Sequence, residues 1–465
     1  PKTTFQGFGG PPPAGFGSGS ILAPIFVRAG DRDYDGELSR AEFGALGERW
    51  FGQWDVAKSG NLGLAPLQAG MNSTLKPPPM NLLGAEGKRN GVAGMMGLEF
   101  AFVRAALDVD GQSFPNVAVR YKGNGTYLGS MRSLKRPLKV DVNQHDPDAS
   151  VAGVTTLNLH NSFSDASWMN DTLAHRFFRD AGVPSPRTGY ANVRVNVPGL
   201  HDNRLLGLYE IVEDVDSRFI QERYGVEGGI LFKPSTPELF GYRGDNWKRY
   251  NQMYDPKGKP TEAQAKRVID LCKLVTLGSD AEFAKQIGDY VDIGAFANYM
   301  AALVCVTDLD GILGPGQNLY LFLHPKTGQF HFIPWDYDQS FGQFGMRGTQ
   351  EQREQLSIAK PWQGENRFLE RMFAQPQFQK AYRTKLRSLS TTLFTPERIS
   401  GQVDRLATLL RPAVAAESKE LLARFAASVA GKNLPPDGPW GSAIKPVKAF
   451  LPVRAQSIRE QIAGK

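Results

Sequence analysis

Cysteine is nearly absent from this chain: two in 465 residues, Cys272 and Cys305. Two cysteines make no disulfide framework. Both lie in segments that read as apolar helices, where a thiol packs as a small buried hydrophobe; a single bridge between them is the alternative. No run of about eighteen apolar residues exists, which excludes a membrane-spanning helix. Histidine is scarce too, six in all. None of them, His160, His175 and His331 included, has metal-ligand spacing, so they read as core or surface residues. Charge of one sign is nowhere concentrated. Lys plus Arg number 54 against 47 Asp plus Glu, net +7, with the signs interspersed. A nucleic-acid binder gathers its cations on a stripe or tail, so no nucleic-acid partner is expected. Nucleotide phosphates remain compatible with the mild positive balance. What is present is ordinary: 41% hydrophobic and 22% charged residues, which excludes a disordered or collagen-like chain. There is no internal repeat.

Gly and Pro punctuate the chain. Residues 1–20 are Gly/Pro/Ser-rich without apolar period and read as a flexible tail. A small helical module follows over 21–75, then a linker over 76–96 that contains Pro77-Pro78-Pro79. The main body is expected over 97–465. Strand-like runs appear at Leu98–Leu107, Val117–Tyr121, Leu138–Val142 and Val154–Leu159, with a turn pair at Asp110-Gly111. Asp171–Ala181 has amphipathic helix period and ends at Gly182. Strands are expected again at Ala191–Val197, Arg204–Glu213 and Gly229–Phe232. After Pro260 helices dominate: Glu262–Thr276, Ile293–Val306 and the stretch from Asn366 to about Val429. A strand pair, Leu319–His324 and Gln329–Pro334, interrupts them. Strands first and helices second predict an α+β fold of two lobes with a cleft. The active-site core is expected over about 100–345 and a C-terminal helical region over 366–465.

In the first module, Asp31-Arg-Asp33-Tyr-Asp35-Gly36-Glu37-Leu38-Ser39-Arg-Ala-Glu42 matches an EF-hand loop at every ligand position. Calcium takes about six to eight oxygens. Asp31, Asp33 and Asp35 offer carboxylates, Glu37 its carbonyl, Ser39 a water-mediated contact, and Glu42 a bidentate closure. Gly36 allows the sharp turn. A second loop opens at Asp55, with Ala57 at a ligand position and Pro66 where the closing Glu belongs. It reads as a degenerate partner. One helix, about Phe43–Trp54, must serve both loops, and its aromatics Phe43, Trp50, Phe51 and Trp54 are expected in the core.

The stretch Cys305–Gly342 carries the chemistry. It holds Asp308-Leu-Asp310-Gly311, Gln317-Asn318-Leu-Tyr320 and Trp335-Asp336-Tyr337-Asp338. Buried carboxylates are costly unless something pairs them. Asp336 and Asp338, two apart, face one side of an extended chain. With an Asn amide oxygen they make a hard-oxygen set suited to Mg²⁺. A separate upstream Asp is placed to orient a hydroxyl. Together these are parts of metal-dependent phosphoryl transfer; turn or capping aspartates are the alternative. Phosphates also need cations. Lys135 and Lys139 are evenly spaced on an expected strand, Lys233 ends another, and the choice among them is open. Arg120 joins these cofactor-side candidates. Glu213 is placed either at a hinge bordering adenine or in an ordinary salt bridge.

The order of blocks resembles the CotH kinase-like family. The matching residues are Val119-Arg120-Tyr121-Lys122-Gly123-Asn124-Gly125, Leu134-Lys135-Arg136-Pro137-Leu138-Lys139-Val140, Leu157-Asn158-Leu159, Asn170-Asp171-Thr172-Leu173-Ala174, Ala181-Gly182-Val183-Pro184, Gly207-Leu208-Tyr209-Glu210, Glu213-Asp214-Val215-Asp216, Leu231-Phe232-Lys233 and Ile333-Pro334-Trp335-Asp336-Tyr337-Asp338. The resemblance implies an atypical bilobal protein-kinase-like fold and ATP-dependent phosphorylation of protein Ser or Thr. It implies that Asp310 is the catalytic base, that Asp336 holds Mg²⁺ (or Mn²⁺), and that Asp338 and Asn318 assist at the metal. Asp308 is a competing acid two residues from Asp310.

The function expected is therefore that of an ATP- and Mg²⁺-dependent kinase with a Ca²⁺ module. The alternatives are a kinase fold moving AMP or acting on a small molecule, and a non-catalytic calcium-binding surface protein. The start at Pro1, the Gly/Pro-rich opening and the calcium loop lead us to expect a processed protein exported by a bacterium: secreted, periplasmic or on the cell surface.

Overall fold

A computed structural model describes residues 18–75, 82–84, 86–435 and 443–464. The tail up to residue 17 and the run Pro77–Pro79 lie outside them. The chain forms two compact units. The first takes in residues up to Asn81 together with Tyr242–Arg249, and the second takes in Leu82–Gly241 and Tyr250–Lys465. Among the described residues no helix is long and apolar enough to cross a membrane.

The first unit has helices at Ser18–Gly30, Arg40–Trp54 and Leu64–Thr74. Its first helix therefore starts inside the stretch read as tail. The Arg40–Trp54 helix opens with a capping box, in which Ser39 Oγ accepts from the Glu42 amide and the Glu42 carboxylate accepts from the Ser39 amide. Trp50 and Leu46 are buried. Phe26 meets Trp50 edge-on at 5.0 Å. Phe43 and Phe51 are 54% and 38% exposed, contrary to the expectation of a core role. Spacing accounts for Phe51 alone: 43, 46, 50 and 54 fall on one side of the helix and 51 does not, while Phe43, near the helix start, still stacks on Phe26 at 5.8 Å.

In the second unit the strands are β1 Val103–Val109, β2 Gln112–Tyr121, β3 Leu138–Asp141, β4 Thr156–His160, β5 Thr188–Val197 and β6 His201–Glu213. They form one antiparallel sheet in the order β1-β2-β3-β4-β6-β5. The β1–β2 hairpin turns at Asp110-Gly111, both with positive φ (48° and 78°), the turn that this pair favours. One sheet face packs Val117, Val140, Leu157, Leu159 and Tyr209 into a core. The other carries Arg120, Lys139 and Asn158, which are neighbours across β2, β3 and β4. Period two thus separates the apolar face from a polar one. The stretch over 82–96, read as linker, contributes the buried Leu82 and Ala93 and a short helix, Val92–Met95.

Three further strands, β7 Ile230–Phe232, β8 Leu319–Leu323 and β9 Phe330–Pro334, pair antiparallel. Beside them runs the helix Ile293–Val306, buried at almost every position from Phe296 on. It is the scaffold for the segment that follows it. Helices Arg367–Phe373, Pro376–Thr392, Pro396–Glu417, Lys419–Val429 and Val447–Ile462 complete the unit. Cys272 and Cys305 form no disulfide and are both buried, as small hydrophobes would be.

Candidate active site

The helix Ile293–Val306 ends at Thr307, which takes a left-handed conformation (φ 49°). Three more non-glycine residues nearby in sequence do the same: Asn318 (57°), Asp336 (63°) and Phe341 (56°). Such residues each cost on the order of 1 kcal/mol and persist where the surroundings over-determine them. Here the two chain segments knit together, since the Phe341 amide donates to the Val306 carbonyl at 2.6 Å. They carry four carboxylates between them: Asp308, Asp310, Asp336 and Asp338.

Asp310 accepts from Gln317 Nε2 at 3.0 Å and from Asn318 Nδ2 at 3.0 Å. Burial pushes its carboxyl up to about 7, with Asp336 adding to the effect. Asp308 is fully buried, and its Oδ2 has no hydrogen-bond partner. Burial, and then Asp310, push it well above the carboxylate range. Asp338 is raised by burial and by Asp336, and accepts from Ser164 Oγ at 2.8 Å. Burial is the main cause in all three, and the neighbouring carboxylates add to it. The oxygens of Asp336 and Asp338, with the Asn318 amide oxygen left over once its N–H groups serve Asp310, fit a hard divalent ion.

Cations gather opposite. Lys122 Nζ lies 5.4 Å from the Trp335 ring centre and Lys233 Nζ 5.0 Å from the same centre. Burial pulls Lys122 down to about 7 and Lys233 to about 8, and Asp336 draws both back up. Lys139 pairs with Asp214 at 3.0 Å on the same polar sheet face. Arg120 is on that face too, its Nη1 donating to the Tyr121 carbonyl.

Two predicted residues are not brought here. Lys135 precedes β3, so even spacing with Lys139 puts it on no common strand face. Its ammonium bonds both Glu417 oxygens at 2.8 Å and faces Trp168 and Tyr209, toward the apolar side of the sheet. Glu213 is held by Arg187 and by Arg223, the ordinary salt-bridge alternative. Conversely, Lys122, His160 and Asp171 belong to the site without having been singled out. One ligand atom each from His160, Asp171 and Asp336 lie within 4.8 Å of one another. The parity of β2 runs 118, 120, 122, which was the available signal for Lys122.

In the first unit, Asp31, Asp33 and Asp35 also bring oxygens within 4.8 Å. Asp31 accepts from the amides of Asp35 (3.1 Å) and Gly36 (2.8 Å). Asp55 accepts from Ser59 and Gly60 in the same register. Glu42 is bonded by the Arg32 and Ser39 amides, and these bonds hold its carboxyl down at about 2. Glu37 donates its amide to Asp35 at 2.7 Å.

An antiparallel sheet, a helical second part and a carboxylate cluster facing lysines describe a kinase-like protein. The chain belongs to the CotH kinase protein family, whose profile matches residues 119–429. It is 25% identical to the inner spore coat protein H of Bacillus subtilis (strain 168) over 265 residues, covering 56% of this chain and 69% of that one. A chain in the Shewanella oneidensis MR-1 toxin–antitoxin HipA, HipB and operator DNA complex overlaps 96% of this chain and 83% of its own at 12% identity. Its TM-score of 0.27 is too low to bear on fold or binding.

Proposed function

We propose that this protein is an ATP- and Mg²⁺-dependent phosphotransferase of protein-kinase-like fold acting on Ser or Thr hydroxyls of a protein. The observation that carries the reading is Asp310, a carboxyl raised to about 7 and braced by Gln317 and Asn318, beside Asp336 and Asp338. Asp310 accepts the proton of the attacking hydroxyl; a base works best with its pKa near the working pH. Lys122 and Lys233 hold phosphate oxygens, and Lys139 stays with Asp214. Asp336 and Asp338, with Asn318, hold the divalent ion. When bound, that ion neutralises phosphate charge and orients the nucleotide. The loop Asp31–Glu42 holds Ca²⁺ through Asp31, Asp33, Asp35, the Glu37 carbonyl and Glu42. A spore-coat relative fits an exported or surface protein in a bacterium.

Incubation with γ-labelled and, separately, α-labelled ATP tests the chemistry. Label from the γ position alone in protein Ser or Thr is expected; α-label in product would mean AMP transfer instead. Asp336→Ala should abolish metal-dependent nucleotide binding. Asp310→Ala should keep binding and lose transfer by about a hundredfold or more. Full activity in both variants would refute the assignment.

A further inference from the structure

We propose that His160 and Asp171 are positioning residues that fix the Lys122 ammonium in the cleft without neutralising it. The proposal rests on the nucleotide reading above. Asp171 sits in the first turn of the helix Asn170–Asp180 and is almost fully buried. Its Oδ2 lies 2.9 Å from His160 Nδ1. On the far side of the ring, His160 Nε2 lies 2.6 Å from Lys122 Nζ. An ammonium can only donate. When Lys122 is charged, as beside an anionic ligand, Nε2 accepts, which places the imidazole proton on Nδ1, pointing at Asp171. One proton arrangement satisfies the whole line from Asp171 through His160 to Lys122. Burial alone would raise the Asp171 carboxyl, but bonds from His160 and His175 outweigh it and hold it below the usual range.

The choice of partner is informative. Lys135 and Lys139 each rest on a carboxylate, Glu417 and Asp214, which spends their charge inside the protein. His160 brings no negative charge to Lys122, so it leaves the lysine available to an anionic ligand. The other oxygen of Asp171 accepts from the Tyr337 amide at 2.7 Å, one residue beyond Asp336. The same carboxylate thus ties the turn bearing Asp336 to the arm bearing Lys122.

Calorimetric titration of the full chain with Mg-ATP tests this. His160→Ala should weaken binding about tenfold or more, the worth of a hydrogen bond to a charged group. His160→Gln, whose amide can donate toward Asp171 and accept from Lys122, should recover most of the loss. Asp171→Asn can keep the Tyr337 bond through its oxygen while its NH₂ opposes His160, and should resemble His160→Ala. Thermal melting without nucleotide runs in parallel; a purely structural role would lower the melting temperature and leave affinity unchanged. His160→Ala or a folded Asp171→Asn binding as tightly as wild type overturns the proposal. A wild-type protein that does not bind Mg-ATP overturns the nucleotide reading itself.

Discussion

Replacing Lys135 with Met would strand the Glu417 carboxylate, 6% exposed, with the Leu208 amide as its other donor. Breaking one side of a buried pair costs about 3 kcal/mol or more. Lys135→Met should therefore lower the melting temperature by several degrees and leave Mg-ATP affinity within about twofold. Loss of nucleotide binding at unchanged stability would restore Lys135 to the phosphate side. Asp310 makes the opposite prediction. Its folded carboxyl is at about 7, against an ordinary 3.8. The folded state holds the proton more tightly than the unfolded one, so the group's contribution to stability is whole below about pH 4 and is lost as pH climbs through about 7. Asp310→Asn escapes this titration. It should melt higher than wild type at pH 8, by on the order of 1 kcal/mol for a partly exposed side chain. The gap should close toward pH 4; a gap constant with pH would mean that the carboxyl is not raised.

At the scale of elements, period and punctuation made most of the sheet legible. Alternation located β2, β3, β4 and β6, and Asp110-Gly111 located the β1–β2 turn. The site was only half legible, because its partners are set by distance along the chain that no local pattern records. Lys135 and Glu417 are 282 positions apart, and Asp171 reaches Tyr337 across 166. His160 has no metal-ligand spacing in the sequence, because its partners come from a helix and a strand end and not from its own flanks. The candidate calcium loop is the reverse case, with every candidate ligand inside twelve consecutive positions. Trp50 and Trp54 lie on the helix that leaves it. Millimolar Ca²⁺ should change their fluorescence and raise the melting temperature. Asp31→Asn should abolish both effects, whereas Asp55→Asn should leave them. Loss in Asp55→Asn with the effects kept in Asp31→Asn would place the ion in the second loop.

At the scale of the molecule, a buried cation from a helix distant in sequence braces the backbone that leads into the acidic cluster. Arg454, on the helix Val447–Ile462, is fully buried; its Nη2 donates to the Val304 carbonyl at 2.9 Å and its Nη1 to Leu356 at 2.6 Å. Burial pulls the guanidinium down to about 10. It thus satisfies the last turn of the helix Ile293–Val306, just before Thr307 bends the chain toward Asp308 and Asp310. Arg454→Met would take the charged donor from both carbonyls, leaving Val304 to Thr307 Oγ1 and Leu356 to Gln461 Nε2, and should cost about 2 kcal/mol. Because the Phe341 and Gly342 amides donate to the Val306 and Thr307 carbonyls, the effect should spread to the segment carrying Asp336 and Asp338. Hydrogen exchange at those two amides is then expected to accelerate by about tenfold or more in the variant, beyond the change at the β3 and β4 amides of the sheet. Uniform acceleration throughout the unit would mean that Arg454 supports only global stability, and that the segment carrying Asp336 and Asp338 does not depend on the C-terminal helix in particular.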